Sequence, residues 1–343
     1  MRIFLSGWSG FIGRNLLEFP KFQEHELVCW IRPGADPGKV PNRQNIFAVK
    51  GEISPRLFEG VDAVINMAGR AHRMKDRSSD WLVENRTVNR DLPLEIAKSA
   101  VEAGVQKFIH LSTVKVMGER EIGPGGIFRE NDPPKPEDSY GISKLEVEKG
   151  LLALFSMKEG KCCTILRLPM VYGPGNKGNM MLLLKAAAAA IPLPLACTTG
   201  KRSMLYVGNL CDALHSTATN VVVFGVDSYF ISDGEDKTSA ELYSLISFAY
   251  MKKRMLLPFP VFLVRYVALF GDILSKFTRL NVPINSLVIG RLFDSYRFSS
   301  EKFMKTFNWA PPFSLKEGIV ETVKWHKGLT KGGNGNNQVT EFV

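Results

Sequence analysis

The start of the chain constrains it most. Arg2 to Ser6 is an apolar run that reads as a strand, and Gly7-Trp8-Ser9-Gly10-Phe11-Ile12-Gly13 follows it directly. Phe11 to Phe19 then reads as a helix. Three glycines at GxxGxxG spacing between a strand and a helix permit a tight turn and a close approach of backbone to a pyrophosphate. The helix N-terminus adds free N–H groups and a favourable dipole. Gly7, Ser9, Gly10, Phe11, Ile12 and Gly13 are therefore candidate contacts of a dinucleotide.

The rest of the chain fits that start. Short apolar runs at Glu26 to Ile31, Asn45 to Val49, Ala63 to Ile65, Lys107 to Ser112 and Cys162 to Leu168 alternate with helical patterns. The long ones are Trp81 to Ala103 and Tyr140 to Phe155. This alternation predicts an α/β fold, a Rossmann-type doubly wound parallel sheet with a smaller α/β substrate-binding lobe. Residues 1–168 form the dinucleotide-binding part, rejoined by segments near 203–232 and 290–300. After Pro169 the chain is punctuated by Gly173, Pro174, Gly175, Pro192 and Pro194, and 169–330 reads mainly as the lobe. Within it, Asn209 to Asn220 reads as a helix and Tyr229 to Ile231 as a strand. Residues 331–343, rich in Gly and Asn, have the composition of a disordered tail.

About 130 residues beyond the glycine turn stands Tyr140-Gly141-Ile142-Ser143-Lys144. A Tyr and a Lys four apart share one helix face. An ammonium beside a phenol favours the phenolate, so the expectation is a phenol of lowered pKa. Such a group exchanges a proton with a carbonyl/alcohol pair, which is what hydride transfer to a nicotinamide requires.

The 343 residues carry a net charge of +10, which suits an anionic ligand such as a nucleotide, an acidic membrane face, or simply a soluble basic surface. Lys and Arg are spread along the chain with no basic arm, which argues against nucleic acid. Five cysteines with no ligand spacing give neither a metal site nor a disulfide framework. No apolar segment precedes the first strand, so a cytoplasmic location is expected. Met255 to Phe270 is the most apolar stretch, but Pro258, Pro260 and Arg265 make it a poor spanning segment. It reads as a helix packed on the lobe or one touching a membrane surface.

The glycine spacing resembles the extended short-chain dehydrogenase/reductase superfamily, the NAD-dependent epimerase/dehydratase type. The resemblance implies that Glu52 and Ile53 lie beside adenine, and that Met67, Ala68, Gly69, Asn89, Leu168 and Val171 contact the cofactor. It also implies that Thr113, ahead of Val116-Met117-Gly118, is the catalytic hydroxyl, with Ser112 its neighbour on the substrate. Tyr140 would transfer the proton, and Lys144 would hold the cofactor ribose. Dehydratases of this family carry Thr-Asp-Glu where this chain has Thr113, Val114 and Lys115, so water elimination is disfavoured. At the end of the second strand, Cys29-Trp30-Ile31-Arg32 offers no carboxylate for a ribose 2′-hydroxyl. Arg32 there favours NADP(H), with NAD(H) the alternative.

Arg167 to Gly175 resembles the R-x-x-N-V-Y-G-P turn of nucleotide-sugar enzymes, with Met170 in place of the Asn. By the same resemblance Asn179 and Arg202 reach a diphosphate, and Arg291 with Asp294 forms a late phosphate and ribose pair. The whole chain, including Ala71-His72-Arg73-Met74, Ile191 to Leu195 and Ile231 to Asp236, is similar to bacterial UDP-sugar 4-ketoreductases of O-antigen assembly. His72, Ser112 and Met170 would then face the sugar. The expected substrate is a UDP-sugar, and the expected assembly is a homodimer through an apolar stripe of Val83, Val88, Leu92, Leu94 and Ile96. A 4-epimerase and a non-enzymatic cofactor sensor are the competing readings; Thr113, Tyr140 and Lys144 together argue against the sensor.

Overall fold

Seven strands assemble into one sheet in the computed structural model. It describes residues 1–69 apart from 37 and 39, 83, 85–119, 126–220 apart from 157, 225–253, 256–258, 260, 262, 266, 269, 290 and 293–331. The strands are β1 (Arg2–Ser6), β2 (Glu26–Ile31), β3 (Ile46–Lys50), β4 (Ala63–Asn66), β5 (Lys107–Thr113), β6 (Cys162–Leu168) and β7 (Gly225–Phe230). Their order is β3-β2-β1-β4-β5-β6-β7, and every pairing in it is parallel. The winding direction reverses between β1 and β4, and ligands of such sheets bind at the carboxyl ends beside that reversal.

Successive strand residues point to opposite faces, and both faces are covered. Ile3, Leu5, Ile65, Ile109, Leu111 and Leu166 pack on one side. There they meet Leu16 and Leu17 of α1 (Phe11–Glu18). Phe4, Val28, Val64, Phe108 and Ile165 pack on the other, against α2 (Leu92–Glu102) and α3 (Ser139–Phe155). Burial on both faces explains why β4 and β6 are apolar throughout except at Asn66, Thr164 and Arg167.

The helix expected over Trp81 to Ala103 is interrupted. Thr87–Asp91 forms a π-turn in which Leu92 N–H bonds Thr87 O, five residues back. Pro93 follows in the first turn of α2. Its missing N–H removes the bond that would otherwise close on Asn89, and the wider turn accommodates this. Asn89 is thereby fully buried, facing inward.

After Pro169 come the short strand Met170–Tyr172, α4 (Asn179–Ala188) and α5 (Val207–Thr219). Then follow α6 (Ser239–Ala249), α7 (Glu301–Phe307) and α8 (Leu315–Lys331). Met170–Tyr172 pairs with Met204–Tyr206, and Lys201–Arg202 pairs antiparallel with Lys237–Thr238. Arg297–Phe298 returns beside Ile127–Phe128. α5 rejoins the sheet side: Lys21 pairs with Asp212, and the rings of His25 and His215 lie 5.2 Å apart. Among the described residues no helix is long and apolar enough to cross a membrane. Most of 255–270 and all of 332–343 lie outside the described residues.

Candidate active site

Gly7 has φ +72°, and a Cβ there would fall 2.7 Å from Ala68 N and Met67 C. Only glycine permits this turn to lie against the end of β4. Gly13 holds the turn to the helix; its Cβ would lie 2.3 Å from Trp8 Cα. Trp8 is buried and donates Nε1–H to Trp30 O at 2.9 Å, which moors the turn to β2. Gly10 caps α1 without a side chain, so the first N–H groups meet no capping oxygen. A bare helix N-terminus behind a glycine turn accommodates an anionic diphosphate. Ser9 is exposed beside it, while Phe11 and Ile12 are half-buried.

Where the adenosine end of a dinucleotide is expected, Arg32 is exposed at the end of β2, and Glu52 is exposed after β3 with Ile53 half-buried. Arg14, which sequence reasoning missed, donates from Nε to Ser9 O at 3.0 Å. Its Nη2 would lie 3.3 Å from a Cβ at Gly38, in the loop that follows Arg32. The Arg14 guanidinium therefore borders the loop that opens at Arg32. The signal was a basic residue immediately after the third glycine.

The strand ends carry a buried polar layer. Asn66 accepts from Ser6 Oγ and from Ala68 N, and its amide lies 3.1 Å from His110 Nδ1. Burial, and then the charge of Lys144, hold His110 well below its usual pKa, hence neutral. Lys144 is itself buried and donates to Leu111 O at 2.9 Å. A Cβ at Gly69 would lie 3.4 Å from both Lys144 Nζ and Asn89 Oδ1. The ends of β4 and β5, the π-turn and α3 thus converge on one place.

Tyr140 stands in the first turn of α3. Asp138 caps that helix through Gly141 N–H and pairs with Lys115. A Cβ at Gly141 would lie 2.7 Å from Lys115 O, two residues beyond Thr113. The start of α3 is thus pressed onto the turn after β5, which Thr113 caps by accepting from Lys115 N at 3.3 Å. Lys115 is engaged by Glu119 and Asp138.

One expectation needs correction, and one residue has a partner that the sequence did not announce. Tyr140 is not lowered in pKa: burial pushes the phenol above its ordinary value, and the carboxylate of Asp138 pushes it further up. Lys144 directs its ammonium to the Leu111 carbonyl, and burial pulls its pKa down to about 8, against the opposing pull of Glu148. Ser112 is not a free hydroxyl. It is buried and donates to Glu148, which also forms an ion pair with Arg167 at 2.7 Å. The signals for this pair were a lone Arg in a buried strand and a Glu one turn beyond Lys144.

The outer wall is built by the later segments. Tyr296, which carried no signal in the sequence, donates to Val114 O at 2.9 Å and to Gly118 O. Arg202 lies over the Tyr296 ring at 5.0 Å and donates to Asp294 O at 3.5 Å. Arg202 and Asp294 thus lie together, one aromatic ring away from the turn after Thr113. Leu168 is buried at the end of β6, Val171 is half-buried, and Met170 is exposed. Asn179 is exposed at the start of α4. The buried Asn176 instead ties this loop together, donating to Val171 O and accepting from Gly178 N. Asn15 Nδ2 donates to Pro174 O at 2.9 Å, which fastens the loop to α1. His72 and Arg291 lie outside the described residues.

Over 333 residues, 94% of each chain, the sequence is 31% identical to a UDP-glucose 4-epimerase of Vibrio cholerae. It is 26% identical over 343 residues to the dTDP-4-dehydro-6-deoxyglucose reductase of Escherichia coli, across 94% of this chain and 96% of that one. Among solved structures, UDP-glucuronic acid 4-epimerase from Bacillus cereus, in complex with UDP-glucuronic acid and NAD, superposes with a TM-score of 0.71. That match covers 96% of this chain and 100% of the other at 19% identity, a likeness of fold. The model of the NAD dependent epimerase/dehydratase family matches residues 3–226, from β1 into β7 and across the glycine turn, Thr113, Tyr140 and Lys144. The chain belongs to the NAD dependent epimerase/dehydratase family.

Proposed function

We propose that this enzyme reduces C4 of a UDP-4-keto-hexose with NADPH, the substrate being a UDP-2-acetamido-2,6-dideoxy-hexos-4-ulose of surface polysaccharide assembly. The observation that carries the reading is the end of β2, where Arg32 stands with no carboxylate beside it and Arg14 borders the loop that follows. A reductase draws its hydride from exchangeable NADPH, whereas an epimerase holds NAD through a cycle in which hydride leaves C4 and returns.

The glycine turn and the bare N-terminus of α1 fit a dinucleotide diphosphate. Arg32 and Arg14 border the place where a 2′-phosphate would lie, with no carboxylate at the end of β2 to bind a 2′-hydroxyl. The bound nicotinamide supplies the hydride. Thr113 binds the substrate carbonyl oxygen and fixes the reacting carbon, and Tyr140 gives that oxygen its proton. Lys144 holds the ribose, between Asn89 and Leu111. Arg202 grips the UDP diphosphate, with Asn179, Asp294 and Arg291 on the same side, and Met170 and His72 bound the sugar. A second reading, 4-epimerization with tightly held NAD, is favoured by the 31% identity to a UDP-glucose 4-epimerase.

Absorbance and fluorescence of the purified protein separate the two. A reductase is isolated empty, binds NADPH and consumes it when the 4-keto sugar is added. Stoichiometric NAD on the isolated protein, with UDP-glucose converted and no NADPH consumed, would overturn the proposal. Arg32→Asp should shift preference from NADPH toward NADH by about tenfold or more, because it exchanges a phosphate partner for a hydroxyl partner.

A further inference from the structure

The lobe carries a face that the catalytic reading does not use. Phe248 at the end of α6 is 70% exposed, Met251 just beyond it 92%, and Leu257 is exposed as well. Phe262, Tyr266 and Leu269 follow and are exposed too. Single exposed apolar side chains are ordinary, whereas six within 22 positions form a surface that calls for a partner.

Cations accompany these residues. Lys252 and Lys253 are exposed between Met251 and Leu257. Lys316 Nζ stands 5.9 Å from the centre of the Phe248 ring. An open groove of about 630 Å³ runs along α6 from Lys237 past Leu245 and Phe248 to Lys252 and Leu256. Glu241, the acidic residue lining it, is engaged in capping α6, where it accepts from Thr238 N at 2.8 Å. At the other end of the groove, Lys237 is the strand partner of Arg202.

We infer that this face seats on an anionic lipid bilayer, with the apolar side chains in the acyl boundary and the lysines on the headgroups. Apolar bulk ringed by lysines is the combination that gives peripheral attachment. The net charge of +10 favours it further. A second copy of the chain is a poorer occupant, because a face-to-face pair would bring Lys252 and Lys253 against their own images. Attachment is to the surface, since no described helix is long and apolar enough to span. The groove then opens from the bilayer toward Arg202.

Sedimentation of the full chain with lipid vesicles tests this. Vesicles containing phosphatidylglycerol should pellet the protein, and phosphatidylcholine alone should not. Raised salt should release it. Lys252→Glu with Lys253→Glu should weaken binding by at least roughly fivefold per lysine. Phe248→Ser with Met251→Ser should weaken it by about tenfold or more. Both double variants should retain the thermal unfolding midpoint and the NADPH affinity of the parent, because none of the four side chains is buried. No pelleting, equal pelleting with both lipids, or variants that pellet like the parent would overturn the inference. So would light scattering that shows a dimer dissociating on Phe248→Ser with Met251→Ser, which would make the face a protein interface.

Discussion

Replacing Glu148 by Gln tests how the active-site helix is held. Glu148 and Arg167 leave 6% and 7% of their side chains exposed. Arg167 donates from Nε to both carboxylate oxygens at 3.2 Å and from Nη2 to one of them at 2.7 Å. Ser112 donates to the same carboxylate, and the Phe230 ring lies 5.6 Å from the guanidinium. Gln keeps the size but removes the charge, so the guanidinium stays buried without its counter-ion. Breaking a buried pair in this way costs about 3–5 kcal/mol. Replacing both partners by apolar residues, Glu148→Leu with Arg167→Met, should recover most of that loss, because no charge then remains to desolvate.

A second readout separates stability from chemistry. Glu148 raises the pKa of Lys144 against the burial that lowers it to about 8. Without the carboxylate, Lys144 should lose its proton at lower pH, and the alkaline limb of kcat/KM should move toward neutrality. Denaturant unfolding gives the first quantity and a pH–rate profile the second. If Glu148→Gln unfolds within about 1 kcal/mol of the parent, the ion pair is not what holds α3. If the limb stays in place, the coupling of Glu148 to Lys144 is wrong.

Tyr140→Phe should reduce turnover of the 4-keto sugar by roughly 10²–10⁴-fold while NADPH still binds, because it removes the acid and leaves the glycine turn intact; turnover at the parent rate would reject the assignment. Lys144 should make the cofactor-free protein more stable as pH rises from about 8 toward 10.5. Below about 8 the ammonium is charged in both states and its burial is a penalty. Above that the folded state releases the proton first, a gain of about 3 kcal/mol relative to Lys144→Met; parallel stability curves for the two proteins would contradict it. The chain should scatter light as a homodimer joined through α2 and α3. Ile96 of the expected stripe is buried in the core and Leu94 packs under Gly150, which leaves Val83 and Leu152 exposed for the partner. Val83→Lys with Leu152→Lys should then yield monomers, and a parent already at monomer mass would refute the interface.

What the sequence made legible follows from how locally each feature is determined. The five inner strands β1, β2, β4, β5 and β6 could be read because parallel strands buried on both faces are apolar runs. By contrast β7, with Asp227 and Ser228 in it, was legible only at its end, Tyr229 and Phe230. The glycine turn was legible because no other residue tolerates φ +72° against β4. The Tyr140–Lys144 face is a property of one helix. The break at Thr87–Asp91 was locally encoded too, in Pro93, but a proline in the first turn of a helix also reads as an ordinary start, so the continuous pattern from Trp81 prevailed. The surroundings of Ser112 and Tyr140 were not legible for a different reason. Their chemistry depends on Glu148, Arg167 and Asp138, and on how deeply the helix settles onto β5 and β6. Spacing along α3 places Lys144 near Tyr140, but it does not say that the ammonium turns to Leu111 or that burial outweighs it. Tyr296 is the extreme case, reaching Val114 from 182 positions away in the chain. Burial and the charge of Asp138 therefore raise the Tyr140 phenol, a direction that spacing along the helix does not give.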